Sequence, residues 1–195
     1  MEDRELTAWL LLDRSRSMAF GTIERTKELV LCELAAAFAQ LLIRGGNRVG
    51  AIVYDGEREW TIRPSQGRFQ VLALVRELLR PMSGGQATDL AKLLDTASRL
   101  ARRRSLVVVI SDFISAPGWE RPLARLTERH AVVAIQLVDP REYELPDAGL
   151  IYVEDSENGT QLLVDSSDPE PVSYTHLDAN RDLTALFGSS SRQKA

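Results

Sequence analysis

Residues 7–17 read Thr7-Ala8-Trp9-Leu10-Leu11-Leu12-Asp13-Arg14-Ser15-Arg16-Ser17. Residues 7–12 form a short continuous apolar run that stops at an aspartate. Such a run, too short for a buried helix and lacking alternation, predicts a strand covered on both faces, as in a parallel sheet. Directly behind it, Asp13, Ser15 and Ser17 fall at alternate positions in a polar segment. That spacing lets three oxygen-bearing side chains turn toward one point as the chain leaves the sheet.

Outward from this stretch, buried strands alternate with helices. Apolar residues at helical spacing predict a helix over 23–43, with Leu29, Val30, Leu34, Ala37, Phe38, Leu41 and Leu42 facing inward and Gly45-Gly46 closing it. Residues 49–54 predict a second strand. Asp55-Gly56 signals a hairpin turn, and 59–63 is a third strand, antiparallel at the sheet edge. Helices follow over 69–79, stopped by Pro81, and from 89 to 102 behind the loop Ser83-Gly84-Gly85-Gln86-Ala87. Residues 106–110 are another apolar strand, ending at Ser111-Asp112. A helix over 119–129, a strand over 131–138 and a strand pair at 149–153 and 160–164 complete the pattern. This order predicts an α/β fold with a central, mostly parallel sheet and helices on both faces.

Ligands of such sheets bind beyond the carboxyl ends of the strands. Asp13-x-Ser15-x-Ser17, Thr88 at a helix start and Asp112 at a strand end belong there. Singly, each is an ordinary loop or capping residue. Together they offer hydroxyls and carboxylates, hard ligands that suit Mg²⁺ or Mn²⁺. Ser15, Ser17 and Thr88 are expected to ligate directly, and Asp13 and Asp112 to add charge directly or through water. A shell rich in neutral hydroxyls leaves the cation under-neutralised, so a partner's carboxylate is the expected completing ligand.

These five positions resemble, residue by residue, the metal-ion-dependent adhesion site of the von Willebrand factor A domain. More narrowly, the chain resembles the bacterial and archaeal family called domain of unknown function fifty-eight. The resemblance lies in 5–21 (ELTAWLLLDRSRSMAFG), 46–54 (GNRVGAIVY), 84–90 (GGQATDL), 104–113 (RSLVVVISDF) and 138–149 (VDPREYELPDAG), and covers about residues 2 to 169. It implies a Rossmann-like fold and a non-enzymatic adaptor role beside a MoxR-type AAA+ ATPase or its client. Longer members of the family carry an N-terminal region, commonly with transmembrane helices. A cytoplasmic domain, within a parent anchored through such a region, is the expectation here.

Composition agrees with one domain. The chain of 195 residues is 44% hydrophobic and 27% charged, and a chain this long buries about 70% of its unfolded surface. A net charge of −4 gives no broad pull toward nucleic acid or anionic lipid. The basic run Arg102-Arg103-Arg104 reads as a solvated helix end. The lone cysteine, Cys32, reads as a small buried hydrophobe, and no span of about 20 apolar residues is present. Residues 1–168 are taken as the domain and 169–195 as a poorly ordered tail, in which 172–179 reads like appended sequence. Asp139, Glu142, Glu144 and Asp147 read as a solvated acidic loop, and His130 as a structural histidine at a helix-to-strand junction.

Two rival classes use the same residues. Asp13 after a first strand suits the nucleophile of a Mg²⁺-dependent phosphohydrolase, but phosphatases of that kind carry a second aspartate where Ser15 stands. A structural α/β domain with an empty site is the other.

Overall fold

The computed structural model describes residues 6–19, 21–22, 25–81, 88–140, 150–154 and 161–165. Its centre is a five-stranded sheet in the order β5-β4-β1-β6-β7. The strands are β1 (Thr7–Asp13), β4 (Arg48–Tyr54), β5 (Glu59–Ser65), β6 (Leu106–Ser111) and β7 (Ala131–Gln136). Four of them run parallel, and β5 pairs antiparallel with β4. This is the α/β architecture expected, a mostly parallel sheet with one antiparallel edge strand.

β1 explains the layering. It lies between β4 and β6, so both faces must be covered, and successive side chains point to opposite faces. Ala8, Leu10 and Leu12 pack with Leu31, Ala35 and Ala39 of α1 (Lys27–Arg44) and Leu74 and Leu78 of α2 (Arg68–Leu78). Trp9 and Leu11 pack on the other face with Leu90, Leu93 and Leu94 of α3 (Leu90–Leu100) and Leu123 and Leu126 of α4 (Glu120–Arg129). The continuous apolar run is therefore two interleaved half-patterns, one for each helical layer.

Several expectations shift in detail. The helix expected from residue 23 begins at Lys27, capped by the Thr26 hydroxyl, which accepts from Leu29 N at 3.2 Å. Before it, β2 (Gly21–Thr22) and β3 (Arg25–Thr26) pair as a short antiparallel ribbon. The inward stripe of α1 is Lys27, Leu31, Ala35 and Ala39. Leu29 and Leu41, expected inside, are exposed at 46% and 66%, and Ala37 is exposed as well. Leu34, Phe38 and Leu42 pack partly buried beside the stripe, and so does Cys32, half-buried rather than buried. Gly46, at φ +77°, turns the chain out of α1 into β4.

Pro64 lies on the edge strand β5, where its missing N–H costs no ladder bond, and the pairing with β4 shifts register between Val49 and Ala51. Gly50 fills that spot: a Cβ there would stand 2.8 Å from Pro64 Cγ and 3.0 Å from the Ile62 carbonyl. β8 (Leu150–Glu154) and β9 (Gln161–Asp165) pair antiparallel as a separate two-stranded sheet. Arg102, Arg103 and Arg104 are exposed just past α3, as expected. His130 is buried at the end of α4, its backbone amide donating to the Leu126 carbonyl at 2.9 Å. Asp139 is buried at 6% exposure, against the solvated-loop expectation. Glu142, Glu144 and Asp147, and the tail over 169–195, lie outside the described residues. Among the described residues no helix is long and apolar enough to cross a membrane.

The assignment of the α1 face is checkable by urea denaturation. Leu31→Ala is expected to cost about 3 kcal/mol by cavity formation. Leu41→Ala should stay within about 0.5 kcal/mol. The reverse ranking would show that the helix docks on its other face.

Candidate metal centre

The chain leaves β1 toward β4 and β5 on one side of the sheet, then returns to lay β6 and β7 on the other. The crevice between the carboxyl ends of β1 and β6 is thus the point where strand order reverses, the usual ligand position in such sheets. Leu12 pairs with Ile110 across it, so Asp13 and Ser111 follow side by side.

Both oxygens of Asp13 are engaged. The Ser15 amide donates to Oδ1 at 2.9 Å, closing an Asx turn that bends the chain off the strand. The Ser111 hydroxyl donates to Oδ2 at 2.6 Å, a contact spanning 98 residues that ties β6 to β1. The Ser15 and Ser17 hydroxyls lie 3.1 Å apart, with Ser17 carried on a 3-10 turn over Arg16–Ala19. Asp112 takes the Ile114 amide on Oδ1 at 3.0 Å and the Lys27 ammonium on Oδ2 at 2.8 Å. Asp13, Ser15, Ser17, Thr88 and Asp112 are all between 0% and 2% exposed.

Thr88 is drawn in through its backbone. The Ser115 hydroxyl donates to the Thr88 carbonyl at 2.9 Å and accepts from Leu90 N at 3.0 Å, and Ala116 N reaches the same carbonyl at 3.3 Å. The loop behind Asp112 is thereby clasped to the start of α3. Capping of α3 falls to Asp89, which accepts from Lys92 N at 3.0 Å. The structure thus joins the loops of all five expected residues at one sheet edge. Hydrogen bonds tie Asp13, Ser15 and Ser17 into one cluster, with Asp112 adjacent to Ser111, and Thr88 is bound in through Ser115.

The electrostatics are those of two carboxylates buried close together. Burial, and then the neighbouring Asp112 carboxylate, pushes the Asp13 carboxyl up to about 7, against the opposing hydrogen bonds from Ser111 and Ser15. A cation beside the pair would relieve both causes. Among the described residues no three His, Cys, Asp or Glu side chains converge as a metal cluster. The oxygens here are two carboxylates supplemented by hydroxyls, a donor set that fits a hard ion.

Three residues of the site were missed from the sequence. Arg14, between the motif residues, points the other way and is 2% exposed. Its guanidinium pairs with Glu28 and donates to the carbonyls of Arg80, at 2.9 Å, and Glu77, at 3.5 Å, at the end of α2. It fastens the loop after β1 to both helices of that layer, and cations suit a helix C-terminus. Ser111 was visible only as the residue before Asp112. Lys27 had one signal: it stands four residues before Leu31 on the buried stripe. Phe113, meanwhile, sits at φ +61°. That conformation is rare for an aromatic residue and marks a strained turn. It is held by Phe113 N on the Ser111 hydroxyl at 2.8 Å and by its ring against Trp119, centroids 5.3 Å apart.

A family model described as "Protein of unknown function DUF58" matches residues 1–179. The uncharacterized protein Rv1480 of Mycobacterium tuberculosis is 38% identical over 159 residues, covering 80% of this chain and 50% of that protein. The chain thus spans about half the length of the curated relatives it matches. Among solved structures, the conserved hypothetical protein BatB of Bacteroides thetaiotaomicron aligns with a TM-score of 0.54 at 16% identity, covering 83% of this chain and 81% of that one. Manganese-loaded Plasmodium vivax TRAP protein aligns at 0.53 and 18% identity, covering 72% of this chain and 61% of that one. At such identities the likeness is one of fold.

The Asp13 carboxyl sets a pH signature. Its pKa is higher in the folded chain than the ordinary 3.8, so the folded state holds the proton longer. Folding is therefore unpenalised by this group at low pH, and stability is lost as pH rises from about 4 through about 7. In chelator, the stability of Asp13→Asn relative to wild type, from urea midpoints, should grow across that window and level off above it. A difference constant with pH would contradict the assignment.

Proposed function

The chain belongs to the DUF58 family, and from that premise we propose that it is a metal-dependent protein-interaction domain. Its working surface is the carboxyl edge of β1 and β6. The observation that carries the proposal is the buried pair Asp13 and Asp112 at one sheet edge, with the buried hydroxyls of Ser15 and Ser17 on the loop that leaves Asp13.

Ser15, Ser17 and Thr88 would hold Mg²⁺ or Mn²⁺ through their hydroxyls, with Asp13 and Asp112 supplying charge and orientation. When bound, a divalent ion supplies a positive centre able to accept an anionic oxygen from a partner. The residues of the chain do the rest. Ser111 and the Ser15 amide fix the Asp13 carboxylate in orientation. The Ile114 amide does the same for Asp112, and Arg14 holds the loop against α1 and α2. Engagement of both Asp13 oxygens as acceptors supports a holding role for this carboxylate over a nucleophilic one.

The completing ligand is an aspartate or glutamate on a protein partner. In keeping with the family resemblance, a MoxR-type AAA+ ATPase or its client is the partner proposed, met in the cytoplasm.

The test is an affinity pull-down with the wild-type chain and with Asp13→Ala/Ser15→Ala, in Mg²⁺ and then in chelator. The partner, identified by mass spectrometry as an AAA+ ATPase or its client, should drop at least about tenfold with either the mutations or the chelator. Undiminished recovery under both conditions would count against the metal-bridged mechanism.

A further inference from the structure

α2 carries two apolar faces, and the core takes one of them. Leu74 and Leu78 are buried there. Phe69, Leu72 and Leu79 are exposed at 72%, 60% and 74%. At about 100° per residue, Phe69, Leu72, Arg76 and Leu79 fall within about 80° of one another, on the side away from Leu74 and Leu78. Single exposed leucines are ordinary on a surface, but three large apolar side chains in one row form a patch. At about 1.5 Å per residue the row is about 15 Å long. Arg68 and Arg80 stand at its two ends and Arg76 within it.

Two properties say what this row fits. The first is charge. Arg76 and Arg80 share one carboxylate, that of Glu77, at 3.7 and 2.9 Å, and the Arg68 guanidinium lies over the Phe69 ring at 5.3 Å. Glu77 is the only acid between residues 65 and 81, and Glu28 of α1 is matched by Arg14. The face is therefore positive in a chain whose net charge is −4. Such a face repels a second copy of itself and attracts an anionic surface. The second property is the place of Arg76, whose side chain is 78% exposed between Leu72 and Leu79. In a dry protein groove its charge would need a partner at one fixed point. At a lipid surface its stem lies along the apolar row while the guanidinium reaches a phosphate, and phosphates fill that plane. A helix that lies in the headgroup layer combines apolar and basic side chains in this way.

We propose that α2 docks the domain on an anionic membrane surface. Phe69, Leu72 and Leu79 enter the boundary between headgroups and acyl chains, and Arg68, Arg76 and Arg80 take lipid phosphates. The attachment is peripheral and reversible, since three apolar side chains bury far less than a membrane span. It does not depend on the metal-dependent function argued above.

The experiment sediments the full chain with vesicles of phosphatidylcholine alone and of phosphatidylcholine mixed with phosphatidylglycerol. Chelator is present throughout, so that no metal bridges protein and lipid. Wild type is expected to partition at least about tenfold more strongly onto the anionic vesicles, and to be released as salt rises. Phe69→Ser/Leu72→Ser/Leu79→Ser and Arg68→Gln/Arg76→Gln/Arg80→Gln should each weaken that partition at least about tenfold. Leu41→Ser, which removes an exposed leucine from α1 instead, should bind as wild type does. Circular dichroism checks that each variant is folded. If a triple variant is not, Phe69→Ser and Arg76→Gln replace it, each expected to lose about fivefold. A parallel arm offers immobilised polyglutamate. No binding to either vesicle, equal binding to both, or full binding by either set of folded variants would overturn the proposal. Capture by polyglutamate without vesicle binding would overturn it as well, and would assign the face to an acidic protein.

Discussion

Two carboxylates buried side by side where the sheet reverses direction set the terms for everything around them. Asp13 and Asp112 are at 0% and 2% exposure, and the Asp112 carboxylate adds to the cost of ionising Asp13. Buried like charges persist only where hydrogen-bond donors and positive charge answer them. The local architecture supplies both. Asp13 receives Ser15 N and Ser111 Oγ, and Asp112 receives Ile114 N and the Lys27 ammonium. The strained backbone at Phe113 belongs to the same arrangement, since the turn that places it also turns the Ser111 hydroxyl between Asp13 and the Phe113 amide.

The rest of the fold holds that crevice still. β1 lies between two parallel neighbours and carries apolar side chains into both helical layers. Arg14 locks the departing loop to the start of α1 and the end of α2. Ser115 locks the loop behind β6 to the start of α3. Three segments far apart in sequence are thus fastened to rigid elements at one edge, and binding geometry benefits from such support. A site built this way can hold polar side chains in a fixed arrangement before any ligand arrives, which lowers the ordering cost of binding.

How much of this was legible in the sequence depended on how local the cause was. β1 and β6 were readable because burial on both faces leaves an unbroken apolar run that stops at a polar residue. Asp13, Ser15, Ser17, Thr88 and Asp112 were readable because strand ends and helix starts are placed by those runs. The facing of α1 was not readable. Apolar residues surround much of that helix, so its periodicity alone does not choose Ala35 and Ala39 over Leu29 and Leu41. Its first turn was hidden for a similar reason, since Thr26 caps it only after the short ribbon of β2 and β3 has turned the chain. Lys27, Arg14 and Ser111 take their roles from contacts spanning 85, 66 and 98 residues, which no local pattern announces.

The convergence of the five oxygen-bearing side chains on one cation is tested most directly by crystallising the chain with Mn²⁺ and mapping its anomalous scattering. A single strong peak in contact with the Ser15 and Ser17 hydroxyls, and flanked by Asp13, Asp112 and Thr88, is the expected result. A fully occupied peak elsewhere on the molecule, or none at the carboxyl edge of β1 and β6 at saturating Mn²⁺, would contradict it.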